Sequence, residues 1–151
     1  MREYTQVELQ QLGYEILNAK ITNVDLSMAI HGSLVLWLTL EGKGWIVDYG
    51  GFSIGKGYVG ASEFEGLAKG TELIMRVMDV VEVETFQQLK DKYVRVAVLP
   101  YEGRIDIIGN IISDKWFNIV DFFKIEETVS EPDPEIPADP TATVEEPIEN
   151  K

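Results

Sequence analysis

Residues 20–49 read KITNVDLSMAIHGSLVLWLTLEGKGWIVDY, and apolar side chains recur at every second position through most of this stretch. An alternation with a period of two predicts β-strands. Turn residues, His31-Gly32 and Glu41 to Gly44, separate three such strands: Lys20–Met28, Ser33–Glu41 and Trp45–Tyr49. Because short turns join adjacent antiparallel strands, we predict a three-strand meander. The middle strand is apolar on both faces, which indicates a central position in the sheet.

Helices are predicted from capping signals and from apolar spacings of three and four residues. Thr5 and Glu8 form a capping box that starts a short helix, and Gly13 ends it. The longest predicted helix is Ser62–Val81, and its predicted buried stripe is Leu67, Thr71, Ile74, Met78 and Val81. A second capping box starts another short helix at Thr85.

Two further strands, Tyr93–Leu99 and Arg104–Ile112, complete the predicted sheet, with a bulge at Gly109. The order is therefore one helix, three strands, two helices and two strands. This order disfavours a parallel doubly wound sheet, in which strands and helices alternate. We predict an α+β fold with a mostly antiparallel sheet and helices on one side.

The charge of the chain is unevenly distributed. Residues 126–151 hold nine of the 26 acidic residues and one of the 13 basic residues, so they carry −8 of the net −13, and residues 1–125 carry −5. The acidic segment is rich in proline and glutamate and lacks aromatic residues, so it cannot bury enough apolar surface to offset the entropy of ordering. We predict one ligand-binding domain at 1–125 and a disordered acidic tail at 126–151.

Composition also excludes several function classes. The chain has no cysteine, which removes disulfides, thiolate nucleophiles and cysteine-ligated zinc. His31 is the only histidine, so neither a zinc site nor a Ser-His-Asp relay is predicted. No basic stripe suits duplex nucleic acid, and no apolar run suits a membrane span or a signal peptide. We predict a cytoplasmic binding protein without catalytic residues, metal or cofactor.

A glycine-rich stretch, Gly50–Gly60, contains the pattern G-x-G-x-x-G from Gly55 onward. In dinucleotide-binding folds such glycines bring the backbone and a helix N-terminus close to a pyrophosphate. Here the next strand follows too late for a compact βαβ unit, and Glu63 and Glu65 would repel a phosphate. We therefore interpret the stretch as a loop whose glycines permit turns.

Four side chains form the predicted ligand-binding set. Arg76 lies on the long predicted helix, Tyr101 in the turn between the closing strands, and Arg104 and Asn110 on the last strand. An arginine fork recognises phosphate, an aromatic ring stacks on a purine, and an asparagine amide reads a base or ribose edge. Together these types of side chain can bind a nucleotide. Each residue also has a structural interpretation: a surface arginine, a turn aromatic, or an asparagine that bonds its own backbone.

Several segments in a fixed order resemble the phage Thoeris anti-defence sponges of the first type described. The segments are Ile21–Met28 with His31-Gly32, Trp45–Gly51, Met75–Val81, Ile108–Ile112 and Lys115–Phe117. The resemblance spans about residues 20–124 and does not include the tail. It implies a protein that binds the cyclic ADP-ribose isomer made by a bacterial TIR-domain enzyme and holds it intact in the host cytoplasm.

The same resemblance implies a homo-oligomer, a hexamer or a dimer, with the cyclic nucleotide held near subunit contacts. Asn110 and Tyr101 match the positions of the family's nucleotide-contacting asparagine and aromatic residue. Arg76 matches a helix arginine at a second site of the oligomer. A further arginine of the family, near the C-terminal end, has no counterpart here, which puts the second site in doubt.

Three other functions stay open at this point. The chain could be an acidic nucleic-acid mimic that inhibits a host nuclease, although the mild charge of residues 1–125 argues against it. It could be a nucleotide hydrolase that uses carboxylates and a divalent ion. It could also be a structural oligomer without a ligand.

Overall fold

The computed structural model describes residues 1–130 of the chain. Its elements follow in the order α1 (Gln6–Gln11), β1 (Glu15–Ile30), β2 (Ser33–Gly42), β3 (Trp45–Lys56), β4 (Glu65–Gly66), α2 (Ala68–Val81), a 3-10 helix (Phe86–Leu89), β5 (Tyr93–Val98), β6 (Ile107–Asn110), β7 (Trp116–Asn118) and α3 (Ile119–Ser130). The strands form one antiparallel sheet. The predicted α+β class is confirmed.

The strand order in the sheet is β4-β3-β2-β1-β5-β6-β7. The predicted meander is present as β1, β2 and β3. His31 and Gly32 both have positive φ, 44° and 72°, as a two-residue hairpin turn of the primed type requires. β1 is common to both halves of the sheet: its first part, from Glu15 to Lys20, pairs with β5, and its second part pairs with β2.

The predicted loop at Gly50–Gly60 is wrong for its first part, because β3 continues to Lys56. Gly50 and Gly51 have φ of +114° and +87° and lie where the β2–β3 register shifts. A Cβ on Gly50 would lie 2.4 Å from the Leu36 carbonyl oxygen. The glycines therefore permit an irregularity inside a strand.

α2 begins at Ala68 rather than at the predicted Ser62, since residues 65–66 form β4. Its buried residues are Gly70, Leu73, Val77, Val80 and Val81, so the predicted stripe is wrong except at Val81. The reason is Gly70, where an added Cβ would lie 2.4 Å from Ile54 Cβ and 2.5 Å from Ile54 O. The glycine lets the α2 backbone lie directly against β3, and this contact sets the rotation of the helix.

α1 packs on the opposite face of the sheet from α2. Leu9 clusters with Ala97, Ile107 and Trp116, whereas Asn110, three residues from Ile107 on β6, contacts α2. The prediction that the helices lie on one side of the sheet therefore holds for α2 and not for α1. Leu9 is the one buried residue of α1. Both capping boxes, at the start of α1 and of the 3-10 helix, are confirmed.

The closing part of the sheet differs from the prediction in three ways. β6 is short, and Arg104 lies in the loop before it. Gly109 pairs in regular register with Arg95 and Trp116, so the predicted bulge is wrong. A Cβ on Gly109 would lie 2.3 Å from the Trp116 ring. The position requires glycine because the Trp116 indole packs across it. β7 is an additional strand.

The chain divides into two compact units: residues 2–119, and a unit that includes α3 from Val120 onward. In α3 the rings of Phe122 and Phe123 meet edge to face at 5.1 Å. The predicted domain boundary at 125 falls inside α3, and the predicted tail lies outside the described residues from 131 onward. Over residues 1–130 no helix has the length and apolar character needed to cross a membrane.

Tyr49 is fully buried on β3, and its hydroxyl is the one buried side-chain polar atom in residues 1–130 that lacks a hydrogen-bond partner. Burial, and then the charge of Asp106, raises the pKa of Tyr49 well above 10. We expect Tyr49→Phe to raise the free energy of unfolding by about 1 kcal/mol, because an unsatisfied buried hydroxyl is destabilising.

The pH dependence provides a second readout for this substitution. Burial makes the pKa of Tyr49 higher in the folded than in the unfolded state, so the unfolded chain ionises this hydroxyl first, and the free energy of unfolding falls as pH rises above 10. Chemical denaturation between pH 8 and pH 11 should therefore show a shallower decline for Tyr49→Phe than for the native chain. Tyr93→Phe, at an exposed position, is the control.

Candidate functional site

Asn110 is a buried polar side chain, 5% exposed, at the end of β6. Its Nδ2 donates to the Val80 carbonyl oxygen on α2 at 3.0 Å. Its Oδ1 accepts from the backbone N–H groups of Ile112 and Ser113, each at 2.9 Å. The amide therefore fixes the β6–β7 loop to the end of α2.

Arg95 stabilises the same loop from the other face of the sheet. Its Nε and Nη2 donate to the carbonyl oxygens of Asn110 and Ser113, both at 2.7 Å, and its Nη1 donates to Gln6 Oε1. Its guanidinium also lies over the Trp116 ring, 4.8 Å from the centroid. The structure assigns its donors to the protein itself.

A cavity of about 690 Å³, here the Asn110 cavity, opens beside this loop. Ligand sites are typically about 300–1,000 Å³ in volume, so it is large enough for a nucleotide. It offers two amides, one aromatic ring and an apolar edge. The residues that line it are Asn18, Val81, Glu82, Asp91, Lys92, Tyr93, Asn110, Ile111 and Ile112.

Charged side chains of both signs surround the Asn110 cavity. Lys92 lines it, and Lys20, Lys90 and Lys115 form ion pairs with its lining carboxylates at 3.4–3.9 Å. These pairs offset the two carboxylates of the lining, Glu82 and Asp91. Lys92 is the lining cation, and it forms no ion pair with another residue of 1–130.

Lys115 illustrates how these charges support one another. Burial acts to lower the pKa of Lys115, but hydrogen bonds and charges from Asp79 and Glu82 outweigh it and hold the pKa above its ordinary value. The ammonium also donates to the Asp79 carbonyl oxygen at 3.1 Å, near the end of α2. Lys115 therefore stays protonated at neutral pH, and two carboxylates balance its charge.

The structure does not bring the four predicted residues into one site. Arg76 lies on α2, where its Nε donates to Glu72 Oε2 at 2.7 Å, and this hydrogen bond lowers the pKa of Glu72. Tyr101, 84% exposed, occupies the turn after β5. Neither residue lines the Asn110 cavity. Their contacts with a ligand stay predictions.

Arg104 lies instead at a second cavity of about 350 Å³, here the Trp37 cavity. Its guanidinium forms a two-point ion pair with Asp106, with Nε–Oδ1 at 2.8 Å and Nη2–Oδ2 at 3.2 Å. This hydrogen bond raises the pKa of Arg104 above its already high value. The cavity is lined by Trp37, Asp48, Gly50, Phe52, Arg104, Ile105, Asp106 and Ile119.

The glycine pattern does not form a phosphate-binding turn. Gly55 and Lys56 belong to β3, and the following residues lead to β4 rather than to a helix N-terminus. Leu67, at the N-cap of α2, makes no side-chain capping bond. In the part of the chain that the structure describes, no group of three histidine or acidic residues is placed to hold a metal ion.

Five polar or aromatic residues of the Asn110 cavity were absent from the predicted set: Asn18, Glu82, Asp91, Lys92 and Tyr93. Tyr93 begins a predicted strand, and its 57% exposure could not be inferred from alternation alone. The sequence feature that could have indicated a binding site is Lys92-Tyr93, a cationic and an aromatic residue next to each other at the start of a strand. Asn18 lies before Lys20, where the strand was predicted to begin, so no sequence pattern marked Asn18 as a site residue.

No protein-family model matches the chain, and neither a curated protein nor a solved structure shows significant similarity to it.

Proposed function

We propose that this chain binds and sequesters an anionic nucleotide signal, the cyclic ADP-ribose isomer of a TIR-domain enzyme, without degrading it. The observation that supports the proposal is the Asn110 cavity, which combines a suitable volume with a ring, two amides and the lysine Lys92. Tyr93 supplies a face for the adenine, Lys92 a charge for the pyrophosphate, and Asn18 and Asn110 amides for ribose and base.

Sequestration requires tight binding without turnover. A nanomolar dissociation constant corresponds to about −12 kcal/mol, which small ligands reach when most of their surface is enclosed. The Asn110 cavity of one chain is open on the side of Ile111 and Ile112, which are 36% and 87% exposed. A homo-oligomer, which the family resemblance implies, would cover this apolar edge and complete the enclosure.

The deciding experiment mixes the full chain with the product of a TIR-domain enzyme. The protein is removed by ultrafiltration, and both the filtrate and the heat-treated retentate are analysed by mass spectrometry. Loss of the signal from the filtrate and its recovery at unchanged mass support the proposal. A signal that stays in the filtrate contradicts it and favours the nuclease-inhibitor alternative, whereas recovery at altered mass identifies an enzyme.

Two tyrosine variants identify the residue that contacts the base. Tyr93→Ala should weaken binding about 10- to 100-fold, because stacking of an aromatic ring on a base contributes about 1–3 kcal/mol. Tyr101→Ala, at a more exposed tyrosine outside the cavity, is the matched variant. Titration calorimetry should show a larger loss for Tyr93→Ala. If Tyr101→Ala alone loses affinity, the ligand binds where the family resemblance implies and not in this cavity.

A further inference from the structure

The Trp37 cavity differs from the Asn110 cavity in how its charged groups are paired. Its lining contains two carboxylates, Asp48 and Asp106, and one guanidinium, Arg104. Asp106 uses both carboxylate oxygens in the ion pair with Arg104, so these two charges offset each other. The net charge of the cavity is therefore the negative charge of Asp48, which disfavours a phosphate group.

Asp48 is held in place without being neutralised. Its Oδ1 accepts the hydroxyl of Thr39, the residue opposite it on β2, at 3.1 Å. A neutral hydroxyl orients the carboxylate and leaves its negative charge intact. The residue is exposed and pairs with no cation among residues 1–130, so Asp48 can form an ion pair with a ligand.

Two aromatic rings and two isoleucines supply the remaining walls. Trp37 and Phe52 are half-buried, while Ile105 and Ile119 are 5% and 2% exposed. The Trp37 indole is fixed against Gly51, where an added Cβ would lie 2.3 Å from the ring. Aromatic rings attract cations through their π faces, and alkyl groups pack on the apolar walls. A carboxylate beside such walls matches an alkylated ammonium group.

We propose that the Trp37 cavity is a second ligand site, specific for a small organic cation that carries an alkylated ammonium group. Trp37 and Phe52 contact the alkyl groups, and Asp48 balances the charge. The site is independent of the proposed nucleotide site, because the two cavities share no lining residue. Its volume of about 350 Å³ is sufficient for a ligand of this size.

The test uses choline and its uncharged analogue of the same shape, 3,3-dimethylbutan-1-ol, with the full chain. Binding is followed by the indole N–H resonances of the three tryptophans, assigned with single Trp→Phe variants. We expect choline to shift the Trp37 resonance and to bind at least about tenfold more tightly than the alcohol, because cation–π attraction in a partly desolvated site contributes about 1–2 kcal/mol.

Asp48→Asn is the deciding variant, since it keeps the shape of the side chain and an acceptor for Thr39. It should remove the preference for choline over the alcohol, while Glu41→Gln, at an exposed carboxylate outside both cavities, should leave the preference intact. Equal binding of both probes, binding that shifts Trp45 or Trp116 instead, or no binding at millimolar concentration would each overturn the proposal. Binding of glucose or ribose in preference to choline would assign the cavity to neutral sugars and also overturn it.

Discussion

Replacing Asn110 by alanine is expected to lower the free energy of unfolding by about 3 kcal/mol, because each buried backbone group that loses its partner costs about 1–3 kcal/mol. The side chain holds one buried group, the Val80 carbonyl, and two partly buried groups, the N–H groups of Ile112 and Ser113. Alanine satisfies none of them. Equilibrium denaturation in urea measures the loss.

The matched control is Asn18→Ala, since Asn18 lines the same cavity but is exposed. We expect a change within about 0.5 kcal/mol there, as for most surface substitutions. If Asn110→Ala is as stable as Asn18→Ala, the amide does not fix the β6–β7 loop. Because Asn110→Ala also deforms the cavity, its loss of ligand binding cannot by itself identify a direct contact. Tyr93→Ala is the better probe of recognition for this reason.

Gly70→Ala is expected to destabilise the protein by about 2 kcal/mol, even though alanine favours helices over glycine by about 1 kcal/mol. The added methyl group would meet Ile54 Cβ at 2.4 Å and Ile54 O at 2.5 Å. A strand carbonyl cannot rotate away as a flexible side chain can, so α2 must move off β3. The thermal unfolding midpoint should fall accordingly.

Gly66→Ala provides the comparison for this substitution. Gly66 lies four residues earlier, on β4, and an added Cβ has no atom within 4 Å apart from its chain neighbours. We expect the unfolding midpoint of Gly66→Ala to match that of the native chain. A Gly70→Ala variant that is more stable than native would show that helix propensity decides at this position and that α2 does not lie directly on β3.

The meander and the capping boxes could be predicted because local sequence determines them. Alternating apolar residues and a two-residue turn fix the β1–β2 pairing, and Thr5 and Glu8 are close enough in sequence to bond each other. The buried face of α2 could not be predicted in the same way. Apolar residues occur on more than one side of that helix, and the contact of Gly70 with Ile54 is decided by tertiary packing.

Features of the candidate site that depend on single residues could likewise be predicted, and those that depend on distant contacts could not. Asn110 was singled out because an asparagine on an apolar strand is unusual, and it does line the larger cavity. Its three bonds to the loop and to α2 depend on pairing that the sequence does not reveal. Arg104 was placed on a strand together with Asn110, but it lies in the preceding loop and lines the Trp37 cavity. The types of residue could be used to predict a binding role, whereas the sequence did not show which of these residues lie close together in the fold.

The long first strand has a consequence for the order of folding. β1 pairs with β2 through a two-residue turn, but Glu15 pairs with Val98, so the β1–β5 ladder closes only after the intervening chain is in place. Contacts between residues so distant in sequence slow folding, because the loop entropy is lost before the contacts form. The hairpin of β1 and β2 can form while the chain is still being synthesised. The Asn110 cavity, which needs β1, β5 and β6 together, is among the last features to become competent for ligand.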